Sequence, residues 1–582
     1  MSNAERSCFC TYASVNNYIF PDCQYGKKSP HVKQLLTLQN KRHLSSRANS
    51  DEVDDLIDPG VLEMIGAPWD PKLSQKVLLI HLLHPIRKTA TTEERDSMEY
   101  DEALRLSEAK ALVQSVPNWS LHSSLSYYVN KSHFNPNFLF GPQKMADISQ
   151  FLSKNRIDVI FINTPQITSI QFANLSKLWR RFVIDRYLLV LTIFRLHASS
   201  KEAKLQVARL MVSLLKHRVE SNCLPWYLTE KVLSSSSAGS LVAGTKRAKG
   251  AVTSKEARRL TVQALEAKVK DGLEMANKNR SRLRKRKLES HVPLISVIGY
   301  TNCGKTTLIK ALTQTDKLTP QNKLFATTEA SSHFGQLQRG VSCIYNDTVG
   351  FISEMPYSLV DAFTASFEEI SAGQLVVHVT DISHRDWKRQ VDVVNRTVDE
   401  MTNKTAKDLC TGDHSWVKPS LDGESVVLDK QAVIHVFNKS DKLTETELES
   451  RLSDDLITGN QSSRVVTSAT QLKGVNSLKE AIFSRLLSTG FLREETIVIP
   501  NYSNGEYEYL NEHACIAEEI IEEHFSNENE DFIAEDSIRL KIFVNFVVLR
   551  KFASLFPENE ISQIVLKEIE TEKVFSWENI GP

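Results

Sequence analysis

The chain has 582 residues, with 71 Lys and Arg against 71 Asp and Glu, and is 41% hydrophobic, 24% charged and 8% aromatic. Such composition is ordinary for a globular protein and excludes a largely disordered chain, a collagen-like chain and a disulfide-stapled miniprotein. A formal charge of zero argues against a histone-like or tail-driven nucleic-acid binder, the length suggests about three to five domains, and no apolar run approaches the ~20 residues of a membrane-spanning helix.

The zero total hides local blocks. Residues 1–50 carry +5, residues 246–287 carry +11 and residues 495–582 carry −13. The first fifty residues are poor in acids, and 31–50 are basic and Ser-rich, as transit peptides are. We read 1–50 as a mitochondrial presequence or disordered leader, with a mitochondrial matrix location expected and a cytoplasmic one as the alternative. The eight cysteines, Cys8, Cys10, Cys23, Cys223, Cys303, Cys343, Cys410 and Cys515, form no CxxC pair. Their spacing suggests neither a zinc site nor a disulfide framework, so a reducing interior is the simplest home.

Residues 51–200 are expected to form an N-terminal α/β domain. Val77–His81 and Val159–Ile162 are apolar runs of strand length, and Phe138–Phe140 is a weaker one. Helical stretches lie at Glu102–Val116 and Lys144–Lys154. The apolar run Leu188–Phe194, interrupted by Thr192, is expected as a buried strand. From Ser200 the spacing of Ala203, Val207, Leu210, Leu214 and Val219 is helical. Residues 232–254 are rich in Ser, Gly and Ala, which predicts a flexible loop. Leu260, Leu265, Val269 and Leu273 mark a second long helix over Lys255–Lys287. Residues 201–290 therefore read as a long antiparallel helical hairpin.

At Pro293 strand and helix alternate again. Leu294–Ile298, Ser342–Asn346, Leu375–Thr380, Ala432–Phe437 and Arg464–Thr467 are strand candidates separated by helices. A doubly wound α/β domain over 291–490 is expected, with a polar surface insertion at 403–430. Residues 491–582 form an acidic C-terminal α+β domain. It holds a strand candidate at Thr496–Pro500 and amphipathic segments at Cys515–His524 and Leu540–Phe556.

Gly299-Tyr-Thr-Asn-Cys-Gly-Lys-Thr306 fits GxxxxGK[ST] between a strand and a helix, the context a phosphate-binding loop requires. Backbone N–H groups of such a loop cradle phosphates, and the helix N-terminus favours the anion. Lys305 would reach the β- and γ-phosphates, and the Thr306 hydroxyl would ligate Mg²⁺. Asn438-Lys-Ser-Asp441 follows the strand AVIHVF. There the Asp441 carboxylate can accept from both N1–H and the exocyclic amine of guanine, a donor pair adenine lacks. Ser468, Ala469 and Thr470 complete the base pocket, with the Ala469 N–H directed at the guanine O6. Asp347-Thr-Val-Gly350 ends another strand: Asp347 holds Mg²⁺ through water, and the Gly350 N–H contacts the γ-phosphate. Thr327 is preferred over Thr328 as the threonine that closes over Mg²⁺.

After Gly350 comes Phe351, where a water-orienting Gln is common. A phenyl ring cannot polarise water. Asn302 is a candidate K⁺ ligand, with a loop-stabilising amide as the alternative. Cys303 is read as packing. The site read from the sequence thus comprises Gly299, Tyr300, Thr301, Asn302, Cys303, Gly304, Lys305, Thr306, Thr307, Phe325, Thr327, Asp347, Gly350, Asn438, Lys439, Asp441, Ser468, Ala469 and Thr470. Within it Lys305, Thr327 and Gly350 are catalytic. GTP or GDP, Mg²⁺ and optionally K⁺ are the expected cofactors. An ATPase or kinase is disfavoured by NKSD.

Taken together, GYTNCGKTTL, LFAT, DTVGFI followed by Pro356 and LVDAF, and HVFNKSD resemble the HflX branch of the OBG–HflX-like translation GTPases. Val183-Ile-Asp-Arg186 and His197-Ala-Ser-Ser-Lys-Glu-Ala-Lys-Leu-Gln-Val207 extend the likeness upstream, so that it covers roughly 75–545. The N-terminal extension and acidic tail look like the eukaryotic, mitochondrial-type members. The resemblance implies a GTPase that binds the large ribosomal subunit and acts in ribosome splitting, recycling or large-subunit biogenesis; a monomer is expected. The alternative is a GTP-dependent assembly or quality-control factor with little turnover. The family's RGPGE-like segment between the hairpin helices is replaced here by SSAGSLVAGTKRAKGAVTSKEARRL, and the loop ends in Thr306 rather than Ser. Facing ribosomal RNA, the basic hairpin 246–287 would gain phosphate contacts through counterion release.

Overall fold

The computed structural model describes residues 74–83, 92–128, 135–223, 254–289, 292–315, 327, 331–353, 373–409, 433–453, 464–500, 505–522 and 537–566. The expected leader 1–50, most of the 232–254 loop, Phe325, Thr328 and positions 410–430 of the expected insertion lie outside them. Residues 403–409, assigned above to that insertion, instead continue a helix.

The N-terminal sheet comprises β1 (Gln75–Leu83), β2 (Trp119–Tyr128), β3 (Val159–Asn163) and β4 (Phe182–Asp185). All pairs are parallel, in the order β2-β1-β3-β4. Helices α1 (Thr92–Ser115), α2 (Pro142–Lys154) and α3 (Ser169–Trp179) make the crossovers that parallel pairing requires. Val77–Ile80 and Val159–Ile162 are fully buried, as expected of a sheet covered on both faces.

Three segments here differ from expectation. Strand β2 was not foreseen: its core-facing row Trp119, Leu121, Ser123, Leu125, Tyr127 includes a serine and alternates with polar, exposed residues, which dilutes the apolar signal. Phe138–Phe140 is a turn, and Phe140 is buried from it. Leu188–Phe194 is not a strand but the centre of α4 (Arg186–His197). Every residue of Arg186–Phe194 is buried, so no polar face marks the helical period. Its start is set by Asp185, which accepts from Leu188 N at 2.8 Å and from Ile167 N at 3.0 Å. Burial pushes the Asp185 carboxyl up from its ordinary value, against those two bonds.

The long helices α5 (Lys201–Glu220) and α6 (Ser254–Glu289) run antiparallel. Glu202 pairs with Arg280, Lys216 Nζ lies 3.0 Å from Glu266, and Gly272 lies against Leu205. Ser200 caps α5 through a bond from Ala203 N.

The central sheet has six strands in the order β10-β9-β8-β5-β7-β6. These are β5 (Leu294–Gly299), β6 (Ser331–Gln336), β7 (Ser342–Asp347), β8 (Leu375–Asp381), β9 (Val433–Asn438) and β10 (Arg464–Val466). Only β6 is antiparallel to its neighbour. Helices α7 (Lys305–Thr313), α8 (Trp387–Leu409), α9 (Glu445–Leu452) and α10 (Val475–Ser488) cover the sheet. Inside it His378 faces His435 at 5.4 Å between ring centroids, and burial followed by that neighbour pushes the His378 imidazole down to about 3. The C-terminal region is a three-stranded antiparallel sheet of β11 (Leu492–Pro500), β13 (Ser537–Asn545) and β12 (Cys515–Glu522), with β13 central. Helices α11 (Gly505–His513) and α12 (Phe546–Leu555) pack on it. Within the amphipathic pattern expected at Cys515–His524, residues Cys515–Glu522 form a strand, and most of Leu540–Phe556 divides between β13 and α12.

One contiguous apolar cluster joins the N-terminal sheet to the hairpin and the central sheet. It includes Val77, Phe161, Leu189, Val269, Ile298 and Phe351. At ~25 cal/mol per Å² of apolar surface this cluster fixes the N-terminal layer directly against the loops that follow β5 and β7.

Candidate nucleotide site

The parallel strands β5, β7, β8, β9 and β10 all point their carboxyl ends to one edge of the sheet. Gly299, Asp347, Asp381, Asn438 and Thr467 sit at or just beyond those ends. The order reverses around β5, with β7 on one side and β8 on the other. Doubly wound sheets bind ligands at such a switch point.

From β5 the chain turns through Tyr300–Gly304 into α7. Gly304 has φ +98°, and a Cβ there would lie 2.4 Å from Asn438 Nδ2, so only glycine fits the helix start. Lys305 is buried and donates to Gly299 O at 3.1 Å and Tyr300 O at 3.0 Å. The loop is stitched to the segment after β7: Thr301 N donates to Phe351 O at 2.7 Å, and Phe351 N to Gly299 O at 3.2 Å. Gly350 is pressed against this loop, since a Cβ on it would stand 2.9 Å from Thr301 Cα and 3.0 Å from Lys305 Nζ. Cys303 is buried, and burial pushes its thiol up, which fits packing rather than reactivity.

Three side chains read separately from the sequence meet at Asp347. Thr306 Oγ1 donates to Asp347 Oδ2 at 2.7 Å and lies 2.9 Å from Thr327 Oγ1, which itself lies 3.3 Å from Oδ2. Burial pushes the Asp347 carboxyl up, and its Oδ1 is buried with no hydrogen-bond partner among the described residues. Two hydroxyls and a carboxylate with an orphaned oxygen are the donor set a hard divalent cation takes. The residues therefore fit Mg²⁺.

On the base side, Asn438 works as a structural clamp. Its Nδ2 donates to Cys303 O at 3.0 Å, and its Oδ1 accepts from Ala469 N at 3.1 Å and Thr467 Oγ1 at 3.3 Å. The Ala469 N–H, expected to face a guanine O6, is thus engaged by Asn438. Asp441 Oδ1 accepts from Ser468 Oγ at 2.6 Å, and Ser468 Oγ lies 3.2 Å from Thr470 Oγ1. Lys439, at φ +64°, lays its stem across the loop and donates to Asn302 O at 2.6 Å and Asp381 Oδ2 at 2.7 Å. Asn302 is exposed at φ +61°, and Thr307 lies in the first turn of α7.

Sequence reasoning missed Asp381, whose Oδ1 also accepts from the Ser383 N–H and hydroxyl. The signal was an Asp at the end of a buried strand, the same placement as Asp347. It also placed Tyr300 in the site without assigning its side chain a partner. The Tyr300 hydroxyl donates to Glu108 Oε1 at 2.6 Å, in a helix of the N-terminal layer.

A family model described as 50S ribosome-binding GTPase matches residues 294–411, and one described as GTP-binding GTPase N-terminal matches 103–195. The fold and the site define a P-loop G domain of the GTPase type. GTP-binding protein 6 of Xenopus laevis is 31% identical over 351 residues, 60% of this chain and 64% of that protein. GTP-binding protein 6 of Mus musculus is 32% identical over 331 residues, 56% and 61% of the two chains. GTPase HflX of Caldanaerobacter subterraneus subsp. tengcongensis is 28% identical over 423 residues, 72% of this chain and 84% of that one. These matches support a likeness to the HflX-type GTPases. The chain spans less than two thirds of the length of the eukaryotic relatives named.

Proposed function

We propose that the chain binds GTP with Mg²⁺, hydrolyses it slowly, and uses the nucleotide state to engage the large ribosomal subunit in splitting, recycling or biogenesis. The observation that carries this reading is the meeting of Thr306, Thr327 and Asp347 beside Lys305 and Gly350, on the same sheet edge as Asp441 and Ser468. Lys305 would exchange its two loop carbonyls for phosphate oxygens. The Gly350 N–H would read the γ-phosphate, and the Asp441 carboxylate would select guanine. Thr306 and Thr327 would hold Mg²⁺ directly, with Asp347 through water. When bound, the ion offsets charge on the β- and γ-phosphate oxygens.

Slow turnover is supported by Phe351, which is buried with its N–H and carbonyl both committed to the loop. Water positioning then falls to the backbone, to a K⁺ ion at Asn302, or to a partner. The same feature favours the second reading, an assembly or quality-control factor with little turnover. The ribosomal partner is supported by the description of the matching family and by the basic α6, whose Arg259, Lys268, Lys270, Lys278 and Arg282 are exposed. Ribosomal RNA is the proposed contact of the hairpin, the protein acts as a monomer, and the mitochondrial matrix is its proposed location, with the cytoplasm as the alternative. Among the described residues no helix is long and apolar enough to cross a membrane.

Sedimentation with isolated large subunits tests the reading. Binding with a nonhydrolysable GTP analogue, loss with GDP, and weakening as salt rises are expected. Equal binding with both nucleotides would contradict a switch. Subunit dissociation in the same assay favours splitting, whereas binding without dissociation favours assembly.

A further inference from the structure

A closed ring of side chains ties the N-terminal layer to the nucleotide loops. Glu108 on α1 sends Oε1 to the Tyr300 hydroxyl at 2.6 Å and Oε2 to Arg186 Nη2 at 2.6 Å. Arg186 Nη2 also donates to Ser353 O at 3.0 Å. The ring closes at Tyr300, whose hydroxyl accepts from Ser353 N at 2.8 Å and lies 2.8 Å from Ser353 Oγ. Arg186 is 1% exposed, and a charge so buried is tolerated only when paired, so Glu108 and Arg186 stand or fall together. Burial and the Glu108 charge push the Tyr300 hydroxyl far up, so it remains a donor to that carboxylate.

The two residues gripped from outside the central sheet are not arbitrary. Tyr300 follows Gly299 in the phosphate loop, and Ser353 lies three positions beyond Gly350. Between them run the backbone bonds of Thr301 and Phe351. Any displacement of Gly350 toward or away from a γ-phosphate must move Ser353, and so must open or re-form bonds to Tyr300 and Arg186. Simple domain adhesion would need no contact with these two segments.

We propose that Glu108 is a positioning residue for the GTPase reaction, acting through Tyr300, Ser353 and Arg186 to hold Gly350 where it reads the γ-phosphate. The N-terminal layer thereby sets the preference of the site for triphosphate over diphosphate. This inference rests on the GTPase reading above.

The test compares wild type, Glu108→Gln, Tyr300→Phe and the double variant in the full chain. Affinities for fluorescent GDP and GTPγS and the single-turnover rate of GTP hydrolysis are measured. Tyr300→Phe leaves the Glu108–Arg186 pair intact, and so keeps the test valid if Glu108→Gln folds poorly. Each single variant is expected to lower the GTPγS-to-GDP affinity ratio and the single-turnover rate by about tenfold, with GDP affinity within about twofold of wild type. The double variant should lose little more than either single one, as residues acting in one unit do. An unchanged ratio and rate in folded Tyr300→Phe would overturn the proposal, as would losses that multiply in the double variant. Failure of the wild type to bind either nucleotide would instead overturn the GTPase reading, and this inference with it.

Discussion

Lys305→Ala is expected to weaken GDP and GTP binding by at least ~100-fold, the scale of losing a charge-assisted contact in a buried setting. Lys305 is 6% exposed and its ammonium is the only one described as donating into the loop carbonyls of Gly299 and Tyr300. Its replacement removes the cation proposed to face the phosphates, while the two carbonyls keep their backbone donors, Phe351 N and Cys303 N. Large-subunit binding should lose its nucleotide dependence at the same time. Titration with a fluorescent guanine nucleotide checks this, with circular dichroism as the control for folding. Normal affinity in a folded variant would contradict the assignment of the loop.

Asp441→Asn should change which base is accepted. Asp441 is exposed, and its carboxylate accepts from the Ser468 hydroxyl at 2.6 Å. Guanine presents two donors, N1–H and the exocyclic amine, to two acceptor oxygens. An asparagine keeps one acceptor and sets an N–H₂ against the amine. The expected cost is about 100-fold in GTP affinity, as when a site built to pair a polar group is left unpaired. Xanthosine triphosphate carries a carbonyl in place of that amine, so it should bind the variant better than GTP does. Competition between the two triphosphates measures the reversal. A variant that still prefers GTP would place guanine selection elsewhere.

The candidate nucleotide site was legible because its chemistry is local in sequence. Gly299–Thr306 and Asn438–Asp441 each keep their functional groups within a few residues, at the end of an apolar strand. Thr327 and Asp347 were also readable, and their meeting with Thr306 is a tertiary fact that each motif alone only implies. The clamp made by Asn438 was not legible. Its side chain bridges two separate segments, the loop at Cys303 and the turn at Thr467 and Ala469, and that pairing depends on strand order.

The fold was legible where periodicity is one-sided. The helices of the hairpin show an apolar stripe, and the strands β5, β8 and β9 are short apolar runs. It failed where burial is complete or polar residues interrupt it. Leu188–Phe194 is buried all round, so its length was mistaken for a strand, and only Asp185 before it signalled a capped helix. Glu108 and Arg186 looked like ordinary helix charges. They become informative only when the apolar cluster brings α1 and α4 against Tyr300 and Ser353.

Displacement of a bound fluorescent GDP from the wild-type chain by unlabelled GTP and by ATP tests the central claim most directly. The account predicts that GTP displaces it stoichiometrically, and that ATP at roughly thousandfold excess leaves most of it bound, since adenine offers Asp441 no matching donor pair. Displacement by ATP at the same concentrations as GTP would contradict a guanine-selective switch.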